Sequence, residues 1–177
     1  MKKLWKSLFV FFISAIILVP LTVCAAGLGK WQYPKKIRTY IPPNHKRTEM
    51  MKHAFQRWTR VTNQRIIFVY VSDKKNAQLE VEFVNVIPNA DREIGLTQSR
   101  VTAGNHILRS KVSIAEKTSN MQSLSEDAVF TVMLHEIGHA IGLEHTKEPL
   151  SIMYPMEDDR QEIQKSDLKR LAEIYGW

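Results

Sequence analysis

His135-Glu136-Ile137-Gly138-His139-Ala140-Ile141-Gly142-Leu143-Glu144-His145 is the stretch that decides how this chain is read. Two histidines four residues apart on a helix lie on one face about a turn from each other, so both rings can reach one metal ion. Glu136, beside the first of them, is then placed to take a proton from a water that the ion activates. A third ligand returns to the same ion only if the helix stops after His139. Gly142 supplies the stop, because glycine adopts the left-handed backbone conformation that ends helices at little cost. His145, three residues on, completes a set of three neutral ring nitrogens and leaves one position for water. That layout is expected of one catalytic zinc ion rather than a closed structural site.

The eleven-residue pattern is a catalytic motif that goes with a downstream methionine turn. Ser151-Ile152-Met153-Tyr154-Pro155 fits that turn, with Met153 eight residues after His145. On these residues the chain resembles the metzincin zinc endopeptidases and, within them, the matrixins. The resemblance extends to Ala54-Phe55-Gln56-Arg57-Trp58-Thr59-Arg60-Val61-Thr62, similar to the first matrixin helix, and to the run from Asp167 to Gly176, similar to the last. It covers roughly Trp31 to Trp177, and is strongest after Val132 and weak between Pro88 and Asn120.

The resemblance implies an α+β fold of the zincin type. Its parts are a twisted mixed sheet of about five strands, a first backing helix, an active-site helix and a C-terminal helix. It also implies an endopeptidase acting on extended polypeptides. Met153 would form a floor under the ligands. Tyr154 and Pro155 would form one wall of the pocket for the residue after the scissile bond, closed by the loop from Met156 to Lys165. Leu96 and Thr97 lie on the strand that the family uses as the sheet edge above the cleft, and are assigned to pairing with substrate. Asp167 would support the methionine turn from below.

There are departures from the family pattern. Vertebrate matrixins hold structural zinc and calcium in loops before the active-site helix. Here Asp91, Glu93 and His106 are too scattered for a four-ligand zinc site, so one zinc is expected. His45, His53 and His106 read as surface or packing residues. Glu157-Asp158-Asp159-Arg160 reads as a solvated loop, with a calcium site as the alternative. Ser166 stands where the family has the first of two adjacent acids, so tethering of a freed N-terminal ammonium is not expected. With no room for a propeptide and no cysteine-switch motif, the expectation is a compact secreted form without that mode of latency. The rival class is a zinc-bearing surface module that binds without hydrolysis; Glu136 and three intact histidines argue against it.

Length fits one domain, at 177 residues. Residues 1–26 open with Lys2, Lys3 and Lys6, continue in the apolar run Leu8 to Val23 and end in small residues, the pattern of a secretory signal peptide. An uncleaved N-terminal anchor is the alternative, and a lipoprotein cysteine at Cys24 is disfavoured by the bulk of Val23. Residues 27–177 are then the catalytic domain, secreted or held at the outer face of a membrane. Losing the three lysines lowers the net charge from +7 to +4, and no basic–aromatic interleaving suggests nucleic acid. The mature chain would hold no cysteine, so its stability must come from an ordinary core. A monomer acting on protein or peptide substrates is expected.

Alternation and apolar spacing predict strands over Trp31–Ile41, Ile66–Val71, Gln78–Val86, Gly95–Val101 and Ile107–Ala115, the last two flanking the turn at Ala103-Gly104-Asn105. An amphipathic helix is predicted from Arg47 to Val61, with Asn44 as its cap. The active-site helix should start near Leu124 under a Ser123–Glu126 capping box. Its inner side should use Ala128, Val132, Met133 and Ala140. A last helix should run from a Ser166 cap to Gly176.

Overall fold

The computed structural model describes residues 29–88, 93–155 and 161–177. The expected signal segment, Asp91 and the Glu157–Arg160 loop lie outside them. Five strands are present: β1 (Ile37–Tyr40), β2 (Phe68–Tyr70), β3 (Leu79–Val84), β4 (Gly95–Val101) and β5 (Ile107–Ala115). They form one mixed sheet in the order β2-β1-β3-β5-β4, parallel except for the antiparallel β4–β5 pair. Helix α1 (Thr48–Val61) lies between β1 and β2 in the chain, as a parallel crossover requires. Helices α2 (Glu126–Ala140) and α3 (Lys165–Tyr175) follow the sheet. The expected α+β architecture is what is found.

Apolar spacing explains α1. Met51, Ala54, Phe55 and Trp58 are its buried stripe, and the Trp58 indole Nε1 donates to the Leu134 carbonyl at 2.9 Å, fastening α1 to α2. In α2, by contrast, every residue from Thr131 to Ala140 is buried. A helix enclosed on all sides needs no polar stripe. Of the four inner positions named from sequence, Val132, Met133 and Ala140 are buried among many others, while Ala128 is only half-buried and Val129 next to it is buried instead. Its last carbonyls are the groups that a helix leaves without partners. Gly142 N bonds to His139 O at 3.0 Å and Leu143 N to Gly138 O at 3.0 Å. Trp31 Nε1 takes Ala140 O at 2.8 Å, and the Tyr175 hydroxyl donates to Ile141 O at 3.0 Å.

Several boundaries differ from expectation, each for a visible reason. Pro34 starts a single 3-10 turn at Pro34–Lys36, so β1 begins only at Ile37, and Trp31 serves α2 rather than the sheet. Asn44 lies too far upstream to cap α1; Thr48 opens that helix, its hydroxyl donating to the Pro42 carbonyl at 2.6 Å. Ser123 is drawn into a bridge with Lys117, so α2 starts later. Its cap is Ser125, whose side chain accepts from Ala128 N at 3.2 Å. Gln164, not Ser166, caps α3 in a reciprocal box with Asp167, while Ser166 donates to Glu148 Oε2 at 2.5 Å. Gly176 ends α3 in the left-handed region, φ 75°. Among the described residues no helix is long and apolar enough to cross a membrane.

Candidate metal centre

The last turn of α2 carries His135 and His139, both buried, and the chain then reverses at Gly142, φ 106°. A side chain there would run into the Gly29 carbonyl as well as forcing an unfavourable backbone. The reversal brings exposed His145 back to the helix, and the three histidines place ligand atoms within 4.8 Å of one another.

The second nitrogen of each helical ring settles its tautomer. His135 Nδ1 lies 2.6 Å from the Ile152 carbonyl, and His139 Nδ1 lies 2.8 Å from that of Leu143. A carbonyl only accepts, so both Nδ1 atoms carry the hydrogen and both Nε2 atoms are bare lone pairs. These Nε2 atoms each lie 3.2 Å from His145 Nε2. One proton on His145 could serve only one of the two, whereas a cation serves all three. Four-coordinate zinc with Zn–N bonds of about 2.0–2.1 Å sets ligand nitrogens about 3.3 Å apart. The donor set, tautomers and spacing therefore fit zinc.

Burial favours the form that binds metal. Loss of hydration pushes the His135 ring down to about 3, with the neighbouring His139 charge acting the same way and the Ile152 bond opposing it. His139 is pushed down to about 4, again chiefly by burial. Burial also lowers His145, the most exposed of the three. Neutral rings at ordinary pH are the state a cation requires.

Met153 is fully buried beneath the ligand helix. Its turn is built by Ser151: Met153 N donates to Ser151 Oγ at 3.0 Å, and Tyr154 N to Ser151 O at 3.1 Å. Ser151 Oγ donates in turn to buried Asp167 at 2.6 Å, the support from below that the resemblance implied. Asp167 also accepts from Arg170 at 2.6 Å, and Arg170 reaches the carbonyl of Glu144, next to His145, at 2.9 Å. This link between the methionine turn and the third ligand was not foreseen. Gly138 explains itself here, since a side chain on it would meet the Met153 sulfur and come within 3.3 Å of Trp58. Gly138→Ala is expected to cost about 1–3 kcal/mol by overpacking, read as a lower midpoint in denaturant melts; an unchanged midpoint would mean that Met153 moves aside freely.

The structure brings the three histidines together and sets Thr97 against Glu136. Tyr154 is half-buried and Pro155 exposed, and the loop expected to close their pocket is described only from Gln161. β4 is the sheet edge, and Leu96 on it is 37% exposed. Thr97 points the other way, into the protein, with Oγ1 2.6 Å from Glu136 Oε2. Of the other histidines, His45 stacks on Phe83 at 4.0 Å and pairs with Glu116 at 2.7 Å.

Comparison with known proteins agrees with this geometry. The family model described as Matrixin matches residues 31–176. The probable matrix metalloproteinase 095L of Invertebrate iridescent virus 3 is 27% identical over 137 residues, 73% of this chain and 37% of that protein. Matrix metalloproteinase-16 of Homo sapiens is 44% identical over 52 residues, 27% of this chain and 9% of the relative. Matrix metalloproteinase-15 of Homo sapiens is 35% identical over 63 residues, 33% of this chain and 9% of the relative. The chain thus spans only about 9% to 37% of the length of these relatives. With the family match running from the first buried tryptophan to the end of α3, the chain belongs to the matrixin family of metalloendopeptidases.

Proposed function

We propose that this protein is a zinc-dependent endopeptidase that cleaves extended polypeptides outside the cytoplasm. The observation that carries the proposal is the convergence of three bare histidine nitrogens, with a buried carboxylate, Glu136, beside the first of them. When bound there, zinc supplies Lewis-acid polarisation of a peptide carbonyl and lowers the pKa of water toward about 7. His135, His139 and His145 hold the ion. The Glu136 carboxylate takes a proton as water adds to the carbonyl and passes it to the departing amine, acting as base and then as acid. β4 offers the edge of the sheet to substrate, with Leu96 facing outward and Tyr154 and Pro155 forming the wall beyond the scissile bond. Residues 1–26 direct the chain to export, or anchor it at the outer membrane face, and the protein acts as a monomer.

The test is zinc content with cleavage of an unstructured protein such as casein. One zinc per chain, with cleavage that a chelator abolishes and added zinc restores, is the expected result. A zinc-loaded protein that leaves casein and a broad peptide mixture intact would overturn the general endopeptidase.

A further inference from the structure

The inner face of β4 presents two buried residues, Gly95 and Thr97, one on each side of outward-facing Leu96. Both meet Glu136. A Cβ on Gly95 would lie 2.6 Å from Glu136 Cγ, 2.6 Å from Oε1 and 2.7 Å from Val132 Cγ1, so the carboxylate arm occupies the space that a side chain would take. Thr97 Oγ1 lies 2.6 Å from Glu136 Oε2 and 2.9 Å from the Glu136 carbonyl. A hydroxyl has one hydrogen to give, and the shorter contact is the stronger. Thr97 therefore donates to the carboxylate and rests against the carbonyl of the same residue.

We propose that Gly95 and Thr97 form a seat that fixes the orientation of the Glu136 carboxylate, with Thr97 acting as a positioning residue. The inference rests on the reading of Glu136 as the proton carrier. A glutamate arm has three rotatable bonds, and without a fixed partner its carboxylate would spread over several orientations. Catalytic groups misplaced by about 1 Å can lose about 10²-fold in rate. The seat also ties two tasks to one strand. The edge of β4 that would receive substrate and the face that holds the carboxylate share one backbone, so both are referred to the same frame.

The test compares zinc-loaded wild type with Thr97→Val, which keeps the branched shape and removes the hydroxyl, and with Thr97→Ser, which restores it. Thr97→Val is expected to keep one zinc per chain and a KM within about twofold, while kcat falls about 10–100-fold. Thr97→Ser should recover kcat to within about threefold of wild type. A Thr97→Val kcat within twofold of wild type overturns the proposal. So does a Thr97→Ser enzyme as slow as Thr97→Val, because the loss would then not follow the hydroxyl. Gly95→Ala intrudes from the other side and is expected to lower kcat with zinc retained; wild-type kcat in that variant also overturns the seat. Crystal structures of wild type and Thr97→Val provide a readout independent of turnover. The carboxylate should leave its wild-type position in the variant, and an unmoved carboxylate overturns the proposal. Failure of the endopeptidase reading would appear separately, as an inactive wild type whose Glu136 still responds to Thr97→Val.

Discussion

Glu136→Ala should leave one zinc on each chain and lower kcat by about 10²–10⁴-fold, the usual contribution of a general acid–base group. The split between metal and turnover follows from how the site is built. Glu136 contributes no ligand, and the helical histidines are oriented by the Ile152 and Leu143 carbonyls, which the substitution leaves alone. Thr97 is not orphaned either, because its hydroxyl keeps the residue 136 carbonyl at 2.9 Å. The folded frame and the ligand set should thus survive, and the loss falls on proton transfer. Glu136→Gln is the stricter control: it keeps the size and a hydrogen-bonding oxygen but cannot hold the proton, and it should be nearly as slow. Metal analysis and steady-state kinetics on the same preparations check both halves. Activity within tenfold of wild type in either variant would remove Glu136 from the role.

Legibility in the sequence followed the range of each interaction. The four-residue histidine spacing, the stop at Gly142 and the αL glycine at Gly176 are set within a turn or two of chain, and each is found where the pattern put it. The β4 and β5 spans agree for the same reason, since both strands alternate or run apolar into the turn where Asn105 takes φ 57°. Caps were less legible, because the serines named at the starts of α2 and α3 found partners elsewhere. Lys117 took Ser123, and Glu148 took Ser166. Trp31 looked like strand sequence and is anchored 109 residues away on the end of α2.

The site divides along the same line. His135, Glu136, His139, His145 and Met153 were named from local spacing; the structure brings the three histidines together and sets Met153 against the ligand helix at Gly138. The assignment of Leu96 and Thr97 treated the two as equivalent edge residues, but the pleat of a strand sends neighbours to opposite faces. Which of them faces Glu136 depends on the register with β5, where Thr97 pairs with Val112. No spacing rule within β4 contains that information. The Asp167–Arg170–Glu144 link was hidden for a related reason: Arg170 reads as a surface residue of α3, and only the packing of α3 beneath the ligand turn gives its second nitrogen a carbonyl to hold.

Acid should destabilise the metal-free protein in two pH windows, the first of them set by the metal site. Free imidazole titrates near 6.5 in an unfolded chain, whereas the fold holds His135 at about 3 and His139 at about 4. Between those values and about pH 6.5 the unfolded state binds more protons than the folded one, so stability is full above that pH and falls as pH drops. Each ring contributes a slope of about 1.4 kcal/mol per pH unit in this window. Two rings would remove several kcal/mol by about pH 5, a large part of the 5–15 kcal/mol that a domain of this kind possesses. Carboxylates held below their usual range by basic partners, Glu82 and Glu116, act in the same direction but only at lower pH, as they titrate below 4.5. The first window therefore belongs to the histidines. Denaturant melts of the metal-free protein from pH 7.5 to 4.5 should show the decline, and His139→Asn should make it shallower. Zinc binds only the neutral rings of the folded chain, so loading should shift the transition to lower pH. A metal-free stability that stays flat from pH 7.5 to 5 would mean that water reaches His135 and His139 freely, and that the ligands are not held neutral by burial.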